Sequence, residues 1–326
     1  MESKGELGGI LVKKGIVIMA KISVIIPVYG VEKYIERCAD NLFQQTLQDI
    51  EYIFVDDCTP DRSIELLQAK IEEYRLRFAE ENKSVRIVRM PSNSGQAAVR
   101  RHGIQFATGD YIIHCDSDDW PEITMYEKMY KKAIEGDYDI VSCNFYKSKS
   151  EVNREINNRN DSDKKANLLL GPLWNRLVRL SICKDNYILY PKGNKAEDGV
   201  LMIQYSFYAK NRGYIDEPLY NYFINEQSIT RVNTEENCIL KLRQEEGNLY
   251  LIMEFLRYHN VLEEYIPLVS YLKYQTRNNL LPVIRNKGVY ELWRNTFPEI
   301  DKHFYICKYL PFKSAIKYLM LRLRLF

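Results

Sequence analysis

Asp116-Ser117-Asp118-Asp119 places three carboxylates within four residues, directly ahead of Trp120-Pro121. Carboxylates this close repel one another. A hard divalent cation relieves that repulsion through oxygen ligands, and Mg²⁺ or Mn²⁺ bridging to phosphate is the usual solution. A solvated acidic turn capping the helix after Pro121 uses the same residues without chemistry. Two other polar segments raise the same choice. Asp56-Asp57, followed by Cys58-Thr59-Pro60-Asp61, is either a turn with an N-cap or part of a ligand site. Asn93-Ser94-Gly95 makes a turn ahead of a helix carrying Arg100, Arg101 and Gly103; the glycines suit turn and packing geometry, and Arg101 reads as surface.

These segments need elements to hold them. Ile22–Ile26 is a β-branched run ended by Pro27 and reads as a buried strand. Glu32–Gln45 has helical spacing. Residues 52–55, 85–88 and 111–114 read as further strands, and residues 64–78 and 97–107 as the helices between them. A helix over 123–134 and a strand over 138–144 follow. This alternation implies a parallel α/β sheet, whose ligands bind at the carboxyl ends of the strands. Three of the first four strands end next to candidate polar groups: Tyr29, Asp57 and Asp116. Lys147–Lys165 is charged and Asn-rich and reads as a surface loop. From about Glu235 the chain is rich in Leu, Tyr, Glu, Lys and Arg at helical spacing.

The ordered set IIPVYG, FVDD, NSGQAAVRRHG and HCDSDDW resembles glycosyltransferase family 2, inverting enzymes of the GT-A fold. The resemblance covers roughly residues 22–230. It implies an α/β fold with a mostly parallel sheet flanked by helices and a mainly helical C-terminal region. The implied domains are an extension at 1–20, with Met19 as an alternative start, a nucleotide-sugar and catalytic domain at 21–232, and helices at 233–326. It also implies that Pro27, Tyr29 and Asp57 hold the nucleotide base and that Arg100 lies near the nucleotide. Asp116 faces the ribose and joins Asp118 and Asp119 in holding Mn²⁺ or Mg²⁺.

Transfer with inversion needs a base for the acceptor proton. Ala196-Glu197-Asp198-Gly199 resembles the family's acidic pair, which makes Asp198 the base and Glu197 its orienting partner; both acids also suit the start of a helix over 200–209. Gly171–Leu177 resembles the segment near donor and acceptor sugars. There Trp174 offers a flat apolar face, with a buried core Trp as the alternative, and Asn175 offers a donor and an acceptor. Over Tyr220–Ser228 the chain departs from the family pattern. Phe223 stands where a cation is expected, and Asn225 stands in place of a His at the metal or diphosphate.

Bulk properties set the remaining bounds. At 326 residues and 46% hydrophobic composition the chain buries a sizeable core, and 46 basic against 44 acidic residues exclude a nucleic-acid binder based on overall charge. Seven scattered cysteines without a CxxC pair indicate a reducing cytoplasm. Lysines interrupt the apolar run Ile10–Ile26, so it is read as neither signal nor span. From Lys302 onward basic and apolar residues interleave without an acid, which suits an interfacial helix on the inner face of the cell membrane. The expected partners are a nucleotide-sugar donor, with UDP as the nucleotide, and a glycan or lipid-linked glycan acceptor of surface polysaccharide synthesis. The rivals are a nucleotidyltransferase, which would release pyrophosphate, and a catalytically inactive nucleotide-sugar-binding protein.

Overall fold

Ile22–Val28 (β1) is apolar on both faces and therefore needs cover on both. In the computed structural model, which describes residues 20–157, 171–224, 233–303 and 318–322, it receives that cover. Parallel partners flank it: Ile50–Asp56 (β2), with Ser84–Arg89 (β3) beyond, and on the other side Tyr111–His114 (β4). The remaining strands are Trp120–Pro121 (β5), Ile140–Ser148 (β6), Arg154–Ile156 (β7), Arg176–Arg179 (β8) and Arg212–Phe223 (β9). The sheet order is β3-β2-β1-β4-β8-β6-β9-β5, with β7 paired to β6.

Alternate residues of β1 belong to different cores, as the period of two requires. Ile22, Val24 and Ile26 pack with Ile35–Phe43 (α1) and Met125–Glu135 (α5). Ile25 packs instead with Val99 and Ile104 of Gln96–Phe106 (α4) and with Leu201 and Tyr205 further along the chain. The helix α4 must return from β3, at the sheet edge, to β4 on the far side of β1. Gly103 lets it lie close to the sheet: a Cβ there would stand 2.6 Å from Ile25 Cγ2. The strand order consequently reverses between β1 and β4, and such a reversal opens a crevice at the carboxyl ends of those strands.

The structure corrects several expectations. The sheet is mixed, because β8 runs antiparallel to both β4 and β6. Neither β8 nor β9 was expected as a strand. Pro27 does not end β1; it pairs with Val55 inside the ladder. The single helix expected over 64–78 breaks at Tyr74 into Ser63–Glu73 (α2) and Arg75–Glu80 (α3). The loop expected from Lys147 includes the end of β6 and the hairpin partner β7.

The chain divides into two units: Met1–Lys192 with Leu201–Asn225, and Gly193–Val200 with Glu226–Phe326. In the second, Glu235–Tyr258 is a 24-residue helix capped by Thr234, whose hydroxyl accepts from the Asn237 N–H. Ile266–Asn278, Lys287–Asn295 and Ile300–His303 are further α-helices of this unit. Its core gathers Leu242, Tyr274, Trp293 and Tyr318 around buried Arg277. Arg277 ion-pairs with Asp301 at 2.8 Å and stacks 4.0 Å from the Trp293 ring centroid, so its burial is compensated twice. No helix among the described residues is long and apolar enough to cross a membrane.

Candidate active site

Two loops at the carboxyl ends of β1 and β2 are fastened to each other by short polar side chains. Gly30 N–H donates to Thr59 Oγ1 at 2.9 Å, and Val31 N–H to Ser63 Oγ at 3.1 Å. Glu32 N–H donates to Asp61 at 3.0 Å, and Asp61 also accepts from the Thr59 hydroxyl at 2.7 Å. Burial raises the Asp61 pKa, but the hydrogen bonds from Ser63 and Thr59 outweigh it and leave the carboxyl below its ordinary value. This lacing leaves Pro27 half-buried and Tyr29 50% exposed at the crevice mouth. Sequence reasoning saw the Thr59–Asp61 turn but missed that it holds the neighbouring strand's loop.

Asp57 is buried, and both its oxygens are engaged. Oδ1 accepts from Ser94 N–H at 2.7 Å and Oδ2 from Gly95 N–H at 2.9 Å. Gly95 has φ 80°, a left-handed conformation that suits glycine. The acid therefore fixes the turn that starts α4, whose Arg100 is 1% exposed. Arg100 donates to Asp116 Oδ1 at 2.8 Å, and Gln96 Nε2 donates to the same oxygen at 2.9 Å. Beside Arg100, burial holds the His114 imidazole well below its ordinary pKa, hence neutral.

The acidic loop is clamped from the opposite side by β9. Asp116 N–H donates to the Tyr220 hydroxyl at 3.1 Å, and Phe223 N–H donates to Asp119 Oδ1 at 2.7 Å. Asp119 is 1% exposed, and its Oδ2 is buried without a hydrogen-bond partner. Burial first, and then Asp118 and Asp116, push Asp119 well above the carboxylate range; burial and then Asp116 raise Asp118 to about 6. Arg37 lies against this loop, donating to Asp118 O at 2.7 Å. Its guanidinium lies 3.9 Å from the Trp120 ring centroid and 4.7 Å from that of Phe223. Sequence reasoning missed Arg37; its only signal was a lone basic residue on α1.

The three acids expected to share a cation differ in their partners. Asp116 turns to Arg100 and Asp119 to the β9 backbone. Among the described residues, no group of three His, Cys, Asp or Glu side chains is arranged to hold a metal ion. Asp118 and the unpartnered Asp119 oxygen still fit one, because Mg²⁺ and Mn²⁺ sites commonly use one or two carboxylates and take further oxygens from phosphate and water. Asn225 lies outside the described residues.

Trp174 and Asn175 are placed differently from expectation. Trp174 is 5% exposed and stacks on Tyr220 with centroids 4.4 Å apart, so the bland core reading holds and its face is not open to a sugar. Asn175 Nδ2 donates to Cys143 O at 2.7 Å while Oδ1 accepts from Arg176 at 2.6 Å, so both ends of the amide brace β6 and β8. Glu197 and Asp198 stand in the first turn of Glu197–Tyr208 (α6), not before it, and belong to the Gly193–Val200 part of the second unit. Glu197 is buried and Asp198 half-buried. The preceding Ala196 has φ 58°, a strained value for a residue with a Cβ.

Comparisons with known proteins agree with the motif order. The family model described as Glycosyl transferase family 2 matches residues 23–209. The uncharacterized glycosyltransferase EpsJ of Bacillus subtilis is 31% identical over 226 residues, covering 65% of this chain and 63% of its own length. The chain thus spans just under two thirds of that relative. Among solved structures, S. aureus TarS 1–349 in complex with UDP-GlcNAc aligns with a TM-score of 0.55 at 19% identity, covering 79% of this chain and 81% of that one. The mannosyltransferase PcManGT from Pyrobaculum calidifontis, in complex with GDP-Man and Mn²⁺, aligns with a TM-score of 0.54 at 14% identity, over 93% and 88% of the two chains. At these identities the two structures bear on the fold, which is α/β with a mixed sheet flanked by helices and further helices at the C-terminal end.

Proposed function

We propose, because the chain belongs to glycosyltransferase family 2, that it transfers a hexose from a UDP-sugar to a hydroxyl of a glycan or lipid-linked glycan in surface polysaccharide synthesis, with inversion at the anomeric carbon. The observation that carries this reading is the unpartnered Asp119 oxygen beside Asp118, on a loop at the β1–β4 crevice. Two acids driven up by burial and by the charge of neighbouring acids suit a site completed by a cation and a diphosphate.

In this reading Tyr29 lines the nucleotide base, and Asp57 supports it by fixing the Ser94–Gly95 turn. Arg100 holds Asp116 toward the ribose. Asp118 and Asp119 would hold Mn²⁺ or Mg²⁺, which when bound supplies positive charge against the departing diphosphate. Asp198 accepts the proton of the acceptor hydroxyl as its oxygen forms the new bond to the anomeric carbon, while the bond from that carbon to the UDP oxygen breaks. Glu197 orients Asp198. TarS in complex with UDP-GlcNAc supports a uridine nucleotide, and PcManGT in complex with Mn²⁺ supports the cation. Attachment to the membrane through the basic tail belongs to the same proposal.

Calorimetry with UDP and GDP, each with and without Mn²⁺, followed by a screen of UDP-sugars for transfer, tests the reading. UDP should bind more tightly with Mn²⁺, and Asp198→Asn should lower kcat by about 10²–10⁴-fold with UDP affinity unchanged. Full transfer by Asp198→Asn would remove the base assignment, and pyrophosphate release in place of UDP would replace the reaction.

A further inference from the structure

The face of α4 turned away from Arg100 forms a second feature that the transfer reading leaves unused. Ala98, Arg101, His102 and Gln105 recur at helical spacing and line one wall of a cavity of about 410 Å³; Tyr190 and Lys192 line another. Three basic side chains thus converge on one opening, and its lining contains no carboxylate. Among the described residues none of the three stands in an ion pair. Cations just before α2 and on α3 behave otherwise: Arg62, Arg75 and Arg77 each pair with a glutamate three or four residues away. The Arg101 guanidinium lies 5.3 Å from the Tyr190 ring centroid, which gives it an orientation while leaving its forked donors available. Met90, also in the lining, directly follows β3, so the cavity opens at the same carboxyl end of the sheet as the acidic loop.

We propose that the cleft between α4 and residues 190–192 binds a phosphate group carried by the acceptor. Arg101 and Lys192, two uncompensated cations at a small opening, match a compact dianion, and arginine's planar fork matches two phosphate oxygens at once. The volume exceeds that of a phosphate alone and accommodates the hydroxylated unit attached to it. Consecutive residues then divide the work of one helix: Arg100 reaches the acidic loop at the nucleotide site, and Arg101 faces the acceptor's charge. That the phosphate belongs to the acceptor rests on the sugar-transfer reading; that the cleft takes phosphate does not.

The test uses the full chain, first saturated with UDP and Mn²⁺ and then without either. Glycerol 1-phosphate is titrated in solution, and phosphatidylcholine vesicles with and without phosphatidic acid are titrated separately. Binding of either phosphate probe that weakens by about tenfold or more in Arg101→Ala/Lys192→Ala, with UDP affinity and Tm unchanged, supports the site. The soluble arm then indicates a terminal phosphate on a soluble glycan, and the vesicle arm one borne by a lipid. Failure of both probes to bind the wild-type chain, binding by the double variant at wild-type affinity, or equal affinity for singly charged glucuronate overturns it. Failure of UDP to bind would count against the transfer reading alone, because the phosphate titration without nucleotide still reads the cleft.

Discussion

At the scale of single residues, the acidic loop assigns opposite tasks to acids two and three positions apart. Asp116 is ion-paired with Arg100 and hydrogen-bonded by Gln96, whereas burial and neighbouring acid charge disfavour ionisation of Asp118 and Asp119. A purely structural loop would gain nothing from that arrangement. Asp118→Asn should therefore stabilise the metal-free protein by about 1–2 kcal/mol at pH 7.5, because it removes a charge that burial and its neighbours disfavour. The same variant should abolish the Mn²⁺-dependent rise in UDP affinity. Thermal unfolding and calorimetry together check this, and a variant less stable than wild type with Mn²⁺ enhancement intact would mean that Asp118 is only a turn residue. The sequence shows which acids are present, because their spacing is local. It does not show which is paired, because Arg37, Arg100 and Tyr220 reach them from distant segments.

At the scale of elements, β9 holds the site and was the element least visible in the sequence. Its first seven residues are largely exposed and include Asp216, Glu217 and Pro218, and its ladder with β6 shifts register at Cys143–Phe145, so no clean alternation marks it as a strand. The four-residue β8, bounded by arginines, is equally faint. In contrast β1, β2 and β4 are buried β-branched and aromatic runs, readable because parallel central strands are apolar on both faces. Phe223, which stands in place of an expected cation, keeps the backbone contact to Asp119 that any residue except proline supplies, and its ring lies against Arg37. The support from β9 predicts that Tyr220→Phe, which preserves the stack on Trp174 but removes the acceptor of the Asp116 N–H, costs about 1–3 kcal/mol in denaturant unfolding. It should also weaken UDP binding in the presence of Mn²⁺. Wild-type stability and affinity in Tyr220→Phe would show that the loop holds its shape without β9.

At the scale of the whole chain, the near-even charge of 46 basic to 44 acidic residues leaves no global field to draw the protein to an anionic surface. Any membrane contact must be local, and the basic tail is the candidate. Its described part, residues 318–322, is divided in use. Tyr318 and Leu321 are buried in the helical core, and Arg322 donates to Asp301 O at 3.0 Å, so these three are already committed. Leu319 and Met320 are each 44% exposed on the same turn, and Phe312, Ile316, Leu323 and Phe326 lie outside the described residues. Removing the whole tail would therefore strip the core as well as the surface and could not separate the two roles. Leu319→Glu/Met320→Glu changes only exposed positions. It should leave Tm within about 1 °C, as exposed substitutions do. It should also weaken co-sedimentation with phosphatidylglycerol vesicles by about tenfold or more, since apolar insertion and polybasic attraction act together. Raising ionic strength from about 0.1 M to 0.5 M should weaken the wild-type interaction in the same assay, because screening shortens the reach of the lysines and arginines. Vesicle binding that ignores both the double substitution and the salt would place the membrane contact elsewhere on the molecule.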